Sequence, residues 1–357
     1  MKRFSCLILC LSACILLTAC ARTEPTEVQQ NTLTVMTHDS FAISEEVVKA
    51  FEEEHDVTLL FIKSGDTGAA LNRAILTKSN PEADVFYGVD NTFLSRAVRE
   101  EIFEPYEPDA LSAIPEEFTS GLMSMVTPID YADVCINYDK AWFAASGLPV
   151  PQTLADLAKP AYKGEAGAGL LVVENPATSS PGLAFLLATI SEYGEAGYLD
   201  YWRSLKQNGV VVVNDWETAY YTNFSASSGR GLQPMVVSYA TSPAAEIIFA
   251  AEPLSDAPTA SIIGDNTCFR QIEYAGILKG TQNLEMAQRF IDFMLSPVFQ
   301  QDMPLQMFVF PVNPEAVLPE AFVRYAESPE APARLDAVLI ANKRDEWIAG
   351  WSRVMLP

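Results

Sequence analysis

Basic residues are scarce in this sequence. Its 357 residues include 23 Lys and Arg against 46 Asp and Glu, which gives a formal net charge of −23. Nucleic-acid-binding proteins hold the phosphate backbone with clustered Lys and Arg, so this balance excludes nucleic acid as a partner. The same acidity suits a protein that receives a small, positively charged ligand.

The common sequence motifs for metals and phosphates are also missing. There is no Cys-x-x-Cys, no His-Glu-x-x-His and no Gly-x-x-x-x-Gly-Lys, and His38 and His55 are the two histidines. The sequence therefore predicts no metal site and no cofactor.

Long apolar segments are absent after the first twenty residues. A positive pair, Lys2-Arg3, precedes an apolar run from Leu7 to Leu17, which has the length of a secretory signal and is too short to span a membrane. The run ends in Leu17-Thr-Ala-Cys20, which resembles a bacterial lipoprotein lipobox with cleavage before Cys20. An ordinary signal followed by an incidental cysteine is the alternative.

This processing site predicts a signal peptide over residues 1–19 and a lipidated tether over residues 20–31, anchored to a membrane by acyl chains on Cys20. The mature protein would lie in the periplasm or at an extracytoplasmic face. Its charge would become −25, because Lys2 and Arg3 leave with the signal. Of the six cysteines, Cys135 and Cys268 would remain unmodified, and an oxidising compartment permits a disulfide between them without requiring one.

The first part of the mature chain alternates β-rich runs with helical patterns. Strands are predicted at 33–36, 57–62 and 83–88, and Ser44 is the predicted N-cap of the first helix. Such alternation indicates an α/β fold with a mostly parallel sheet. Open α/β sheets bind ligands at the carboxyl ends of their strands. The loops at these ends carry aromatic, carboxylate and hydroxyl side chains, namely His38, Asp39, Asp66, Ser179, Trp216 and Tyr239.

Several of these segments resemble the thiamine-binding protein of bacterial ABC importers. The matching segments follow one another in the same order over nearly the whole mature chain: Thr34-Val-Met-Thr-His-Asp-Ser-Phe41, Ala83-Asp-Val-Phe-Tyr-Gly-Val-Asp-Asn91, Asn175-Pro-Ala-Thr-Ser-Ser-Pro-Gly182, Ser238-Tyr-Ala-Thr-Ser-Pro243, Phe290-Ile-Asp-Phe-Met-Leu-Ser-Pro-Val-Phe-Gln300 and Phe310-Pro-Val312.

The resemblance implies a two-lobed type II periplasmic-binding-protein fold with the ligand cleft between the lobes. One lobe would comprise residues 32–130 and 268–357, and the other residues 131–267. The implied function is that of a binding protein and not of an enzyme: to bind thiamine, or its mono- or diphosphate, and to deliver it to an ABC permease. A monomer is expected.

The resemblance also implies ligand contacts that make chemical sense. Asp66 matches the family's carboxylate, which would attract the cationic or amino end of the ligand. Trp216 and Tyr239 match aromatic contacts, and a cation over an aromatic ring gains about 0.5–2 kcal/mol. Ser179 precedes Pro181 at a predicted helix N-terminus, where free N–H groups favour an anion such as a phosphate. Simple turn or helix capping is the alternative for Asp66 and Ser179.

Three positions depart from the family pattern. His38 stands where the family often has Tyr, Phe308 where it has Trp, and Ala245 where it has Tyr. The cleft would therefore be roomier or prefer a different form of the ligand. Asp39 and Tyr221 lie nearby in the sequence pattern and are candidates to compensate.

Two other functions are compatible with the same fold. Ferric-ion-binding relatives resemble the combination of the Tyr220-Tyr221 pair with His38 and Asp39. Thiaminase I resembles the same two-lobed fold and uses a nucleophilic cysteine, for which Cys135 would be the candidate. Cys135 lies in an apolar strand, however, where a buried and inert thiol is the usual explanation.

Overall fold

The structure is a computed structural model of the chain. It describes residues 31–356 apart from 120–123, 165–168 and 229–230. The predicted signal peptide and the lipidated Cys20 lie outside the described residues, as does the tether except for Asn31, which begins the first strand. No helix within the described ranges is long and apolar enough to cross a membrane.

Strands and helices alternate along the chain. The strands are β1 Asn31–Thr37, β2 Val57–Lys63, β3 Val85–Asp90, β4 Phe103–Glu104, β5 Thr127–Asp139, β6 Leu171–Glu174, β7 Val211–Val213, β8 Met235–Tyr239, β9 Thr259–Ile262, β10 Phe269–Leu278 and β11 Phe310–Pro311. The helices are α1 Glu45–His55, α2 Thr67–Leu76, α3 Leu94–Arg99, α4 Glu116–Thr119, α5 Lys140–Ser146, α6 Leu154–Leu157, α7 Ser180–Gln207, α8 Ser225–Ser228, α9 Ser242–Ile248, α10 Leu284–Met294, α11 Pro297–Gln306, α12 Glu320–Tyr325 and α13 Ala337–Met355. Asp109–Ala113 and Pro160–Tyr162 are 3₁₀ segments, and Thr218–Asn223 is a π-helix.

All of these strands join one sheet, in the order β2-β1-β3-β10-β5-β8-β6-β7. Three further strands pair with its central strands: β4 with β10, and β9 and β11 with β5. Pairing is parallel at both ends of this order and antiparallel in its middle. The prediction of a mostly parallel sheet is therefore wrong for the centre. The reason is that β5, which has 13 residues, pairs antiparallel with β10 along its first part and with β8 along its second.

Local sequence explains where the principal helices start and stop. Ser44 caps α1 by accepting a hydrogen bond from the Val47 N–H, which confirms the predicted N-cap. Asp66 caps α2 in the same way through the Thr67 N–H. Helix α7 is interrupted at Gly194, whose φ of 68° lies in the left-handed region that favours glycine.

Apolar side chains cover both faces of the sheet. Neighbouring residues point to opposite faces, as strand geometry requires, so Phe86 joins one buried cluster and Tyr87 joins the other. The first cluster also contains Trp202 and Trp351 from α7 and α13, and the second contains Phe290 from α10. The two clusters hold the sheet in place, and the site is built at the ends of its strands.

A disulfide joins Cys135 and Cys268, whose Cα atoms lie 4.3 Å apart. Cys135 lies in β5, and Cys268 directly precedes β10. Because Val134 pairs with Phe269, the bridge closes one end of the β5–β10 ladder. The pairing that the sequence left open is thus present in the structure.

Candidate functional site

A cavity of about 230 Å³ opens beside the carboxyl ends of β1 and β8. Aromatic, carboxylate and hydroxyl side chains from distant parts of the chain line it, and they are His38, Asp39, Ser40, Phe41, Lys63, Trp216, Glu217, Tyr220, Tyr221, Tyr239, Ser242, Phe249, Glu273, Met307 and Phe308. The combination of flat apolar rings with acidic groups suits a flat organic cation.

One wall of the cavity is a cluster of four aromatic rings. Trp216 stacks on Tyr220 with ring centroids 5.1 Å apart and an angle of 20° between the planes. Tyr221 meets the same indole edge-on at 5.4 Å, and Tyr239 lies 6.1 Å away. The Trp216 Nε1–H donates to Ser238 Oγ at 2.9 Å, so β8 fixes the orientation of the indole.

The π-helix presents this wall to the cavity. It begins two residues after Trp216, and its wider turn brings Tyr220 and Tyr221 against the indole. π-Helical turns are rare and are found mostly at functional sites. Tyr220 is buried, whereas Tyr221 has half of its surface exposed, at 51%.

A second part of the cavity, beside β10 and His38, contains buried acidic groups. Glu273 of β10 lines the cavity, and its Oε1 lies 3.4 Å from His38 Nε2. The Tyr87 hydroxyl lies 2.5 Å from Asp130 Oδ2 and 3.2 Å from Glu273 Oε2, so one hydroxyl bridges two carboxyl groups. Gly88 makes room for His38, since a Cβ there would lie 2.4 Å from His38 Cδ2.

Burial dominates the protonation of these groups. It raises the pKa of Glu273 to about 8, with a further increase from the charge of Asp90. Burial also raises the pKa of Asp130 well above its usual range, and the neighbouring Glu273 adds to this. The same desolvation lowers the pKa of His38, against the attraction of nearby carboxylates. At neutral pH this side of the cavity is therefore largely uncharged.

Asp66 lies behind the aromatic wall. Its Oδ1 accepts from the Thr67 N–H at 2.7 Å, and its Oδ2 accepts from the backbone N–H of Trp216 at 3.2 Å. The carboxylate thus ties the start of α2 to the loop that carries the indole. Burial raises its pKa, while the nearby hydroxyl of Ser179 lowers it.

The N-terminus of α7 packs directly against the N-terminus of α2. The Gly68 N–H donates to the Thr178 carbonyl at 2.9 Å, and a Cβ at Gly68 would lie 2.8 Å from the carbonyl oxygens of Ala177 and Thr178. Ser179 is fully buried there, and its hydroxyl has no partner at normal hydrogen-bond geometry in the described part of the chain. Only glycine, which has no Cβ, lets position 68 of α2 approach the start of α7 so closely.

Six of the eight predicted site residues line the cavity: His38, Asp39, Trp216, Tyr221, Tyr239 and Phe308. Asp66 and Ser179 are not among the lining residues, although Asp66 reaches the backbone of Trp216. Asp39 accepts from the Gly65 N–H at 2.8 Å and so joins the loops that follow β1 and β2. The prediction brought together residues that the fold also brings together.

The lining residues that the sequence interpretation missed include three with side chains that matter for the chemistry of the cavity. Glu273 lies inside a strand, Lys63 ends β2, and Phe249 follows α9. Phe249 had a usable signal, because it stands one helical turn after Ala245 and both face the cavity. Its ring packs edge-on against Phe308 with centroids 4.6 Å apart, and it lines the cavity together with Ala245.

The chemistry of a ferric site is not favoured by this geometry. The Tyr220 hydroxyl donates to Glu246 Oε1 at 2.6 Å, and burial followed by that carboxylate raises its pKa well above 10. This hydrogen bond would have to break before the Tyr220 oxygen could coordinate a metal ion. No group of three or more His, Cys, Asp or Glu side chains in the described ranges could hold a metal ion.

The proposed nucleophile of a thiaminase-like reaction is not available either. Cys135 is fully buried, and its sulfur is bonded to Cys268. A cysteine acts as a nucleophile through its thiolate, and a sulfur in a disulfide has none.

The chain belongs to the bacterial extracellular solute-binding protein family, whose model matches residues 80–325. Its fold is the two-lobed type II fold of periplasmic binding proteins, with the ligand cleft between the lobes. It is 29% identical over 352 residues to the thiamine-binding periplasmic protein of Escherichia coli strain K12, an alignment that covers 97% of this chain and 98% of that protein.

Solved structures agree with this assignment. A periplasmic thiamin binding protein superposes with a TM-score of 0.78 at 28% identity, over 91% of this chain and 96% of the other. Iron-bound HitA from Pseudomonas aeruginosa gives a TM-score of 0.74 at 20% identity, over 91% and 100%, and shares the fold alone. The resemblance to the thiamine-binding proteins of ABC importers is confirmed.

Proposed function

We propose that this chain is the substrate-binding protein of an ABC importer and that it binds thiamine. The observation that supports this most directly is the four-ring wall around Trp216, which lines the same cavity as the acidic side chains of Asp39, Glu217 and Glu273. Thiamine combines a flat aminopyrimidine with a permanently positive thiazolium. Aromatic rings can recognise such a ligand, because they stack on the aminopyrimidine and attract the thiazolium.

The proposed mechanism is hinge closure. His38, Glu273 and Phe308 belong to the proposed lobe of residues 32–130 and 268–357, whereas Trp216 and Tyr239 belong to the proposed lobe of residues 131–267. A ligand that contacts both groups stabilises the closed state by its differential affinity for it. The closed protein then delivers its ligand, as a monomer, to the permease of the importer.

Thiamine phosphates are a second form of the same ligand. The N-terminus of α7 at Ser179 is the proposed phosphate contact, and it is supported by the buried Ser179 hydroxyl and by the general preference of helix N-termini for anions. Because the neighbouring Gly68–Thr178 contact fills this region, we expect a phosphate to require local separation of α2 from α7.

Calorimetric titration of the purified protein tests the proposal. The ligands are thiamine, its mono- and diphosphate, and Fe(III) as the competing assignment. We expect thiamine to bind with 1:1 stoichiometry and iron to produce neither heat nor a visible absorption band. Failure of all three thiamine forms to bind would refute the proposed function.

A substitution locates the site. Trp216→Ala removes the ring on which the other aromatic side chains pack, and we expect thiamine affinity to fall at least tenfold. Trp142→Ala is the matched control, because Trp142 is also partly buried but does not line the cavity. An unchanged affinity in Trp216→Ala would remove this residue from the site.

We also propose that the chain is a periplasmic lipoprotein anchored through Cys20. The relative named as a periplasmic protein supports the compartment, and the lipobox-like Leu17-Thr-Ala-Cys20 supports the anchor. Cys20→Ser should move the protein from the membrane fraction to the soluble fraction. The same fractionation of both forms decides the matter, and an unchanged distribution would contradict the anchor.

A further inference from the structure

Glu273 differs from the other carboxylates at the cavity. Its side chain is 7% exposed and lines the cavity. Within the described residues it forms no ion pair with Lys or Arg, and the basic group nearest to it is the His38 imidazole, with Nε2 3.4 Å from Glu273 Oε1. An ionised carboxylate in such a place needs a cation to compensate for lost hydration, and no Lys or Arg of the described residues pairs with it, since Lys63 in the same cavity donates to the Asp39 carbonyl oxygen.

The cavity's other acidic groups are either exposed or already engaged. Glu217 is exposed to solvent. Asp39 accepts from the Gly65 N–H, and the Lys63 ammonium donates to the Asp39 carbonyl oxygen at 2.7 Å. Glu273 is therefore the carboxyl group that a ligand cation can reach in a water-poor setting, where the attraction between charges is strongest.

Titratable side chains from several helices and strands surround Glu273. The titratable groups that face it are His38 after β1, Asp66 at the start of α2, Tyr87 and Asp90 in β3, Asp130 in β5 and Tyr239 in β8. The Tyr87 hydroxyl that bridges Glu273 and Asp130 holds two carboxyl groups within reach of one proton donor. Two adjacent carboxylates cannot both ionise without a large cost, so the empty site retains protons.

We propose that Glu273 recognises the positive charge of the ligand, and that its carboxyl O–H bond breaks and the proton passes to solvent when an organic cation enters. This inference rests on the proposed function, since it describes how the same site takes a cationic ligand such as thiamine. The thiazolium then replaces the proton as the partner of the carboxylate, so the site changes from neutral to paired without holding an isolated buried charge.

The direction of the pH dependence follows from this exchange. The empty site holds the proton up to about pH 8, the pKa of Glu273, and the occupied site does not. Between pH 6.5 and 7.5, thiamine affinity should therefore rise with pH by nearly tenfold per unit, and the rise should level off above about pH 8.5.

Calorimetry in buffers of different ionisation enthalpy measures the released proton. Purified protein is titrated with thiamine in HEPES and in Tris at pH 7.0 and again at pH 9.0. We expect close to one proton released per thiamine at pH 7.0 and far fewer at pH 9.0. Thiamine binding with the same enthalpy in both buffers, and with a pH-independent affinity, would overturn the inference and leave the proposed function intact.

Two amide substitutions assign the proton to its residue. Glu273→Gln should abolish proton release, flatten the pH profile and weaken thiamine binding at pH 8.5 at least tenfold. Glu217→Gln removes an exposed carboxylate from the same cavity and should still release the proton. Unchanged proton release in Glu273→Gln would overturn the assignment, whereas absence of thiamine binding by the wild type would refute the proposed function and this inference together.

Discussion

At the scale of single residues, the buried carboxyl groups link stability to pH. Glu273 has a pKa of about 8 in the folded protein, against 4.5 as its ordinary value. A carboxyl group with a raised pKa stabilises the fold while protonated, and that contribution is lost as the pH rises from the unfolded value through the folded one. His38, whose pKa is lowered, acts in the opposite sense below about pH 6.5.

We therefore expect the free energy of unfolding to fall between pH 6.5 and 8.0. Each unit of pKa difference corresponds to about 1.4 kcal/mol. Urea unfolding at three pH values in this window measures the slope, and Glu273→Gln should show a shallower one. Asp130 has a raised pKa for the same reason, so some slope should persist. A wild-type stability that stays constant or rises with pH would contradict the prediction.

The residues of the site were only partly predictable from the sequence. Trp216 and Tyr239 stand in loops or at ends of strands, where an α/β sheet places its ligand contacts, and the structure puts both at the cavity. Glu273 lies within β10, and a single acidic residue in a strand reads as solvent-facing until the neighbouring strands are known. Long-range pairing of β10 with β3 and β5 is what buries it.

At the scale of elements, α9 and the end of α11 bring two rings together at the edge of the cavity. Phe249 follows α9 and Phe308 follows α11, and the two belong to different proposed lobes. Phe249 is 63% exposed, which is high for a large apolar side chain. A ring that is exposed but packed on one partner contributes little to the core, so we expect its contact to favour closure of the proposed lobes.

Phe249→Ala should weaken thiamine binding about two- to tenfold, because an aromatic pair contributes about 0.5–1.5 kcal/mol beyond its buried area. The expected change is a faster dissociation rate, measured by stopped-flow competition, with little change in urea unfolding. Val338→Ala is the control, since Val338 is similarly exposed, at 66%, but lies on α13 away from the cavity. A slower rate, or an equal loss in both variants, would exclude the role in closure.

The positions of helices and strands were more predictable than the directions in which the strands pair. The caps and apolar periodicity of α1 identify that helix correctly, because those signals lie within a few residues. The antiparallel centre of the sheet was not predictable in the same way. Whether β5 runs with or against β10 depends on contacts more than a hundred residues apart, for which local patterns carry no information.

At the scale of the whole molecule, the disulfide connects residues 133 positions apart in the sequence. Closing so long a loop restricts the unfolded chain strongly, and such cross-links stabilise by about 2–5 kcal/mol. The double substitution Cys135→Ala with Cys268→Ala should lower the free energy of unfolding by that amount in urea. A reductant should lower the free energy of unfolding of the wild type and leave that of the double variant unchanged. Equal stability of the two proteins without reductant would contradict the expectation.

If the chain is exported as proposed, the same bond gives it two covalent states, one on each side of a membrane. Reducing conditions inside the cell keep both thiols free, and oxidation after export joins them. A newly made chain therefore lacks its full resistance to unfolding until it has reached the compartment in which it works. Export of the chain, as proposed, would require an unfolded state, and ligand capture requires the folded one, so the timing of one sulfur–sulfur bond would serve both needs.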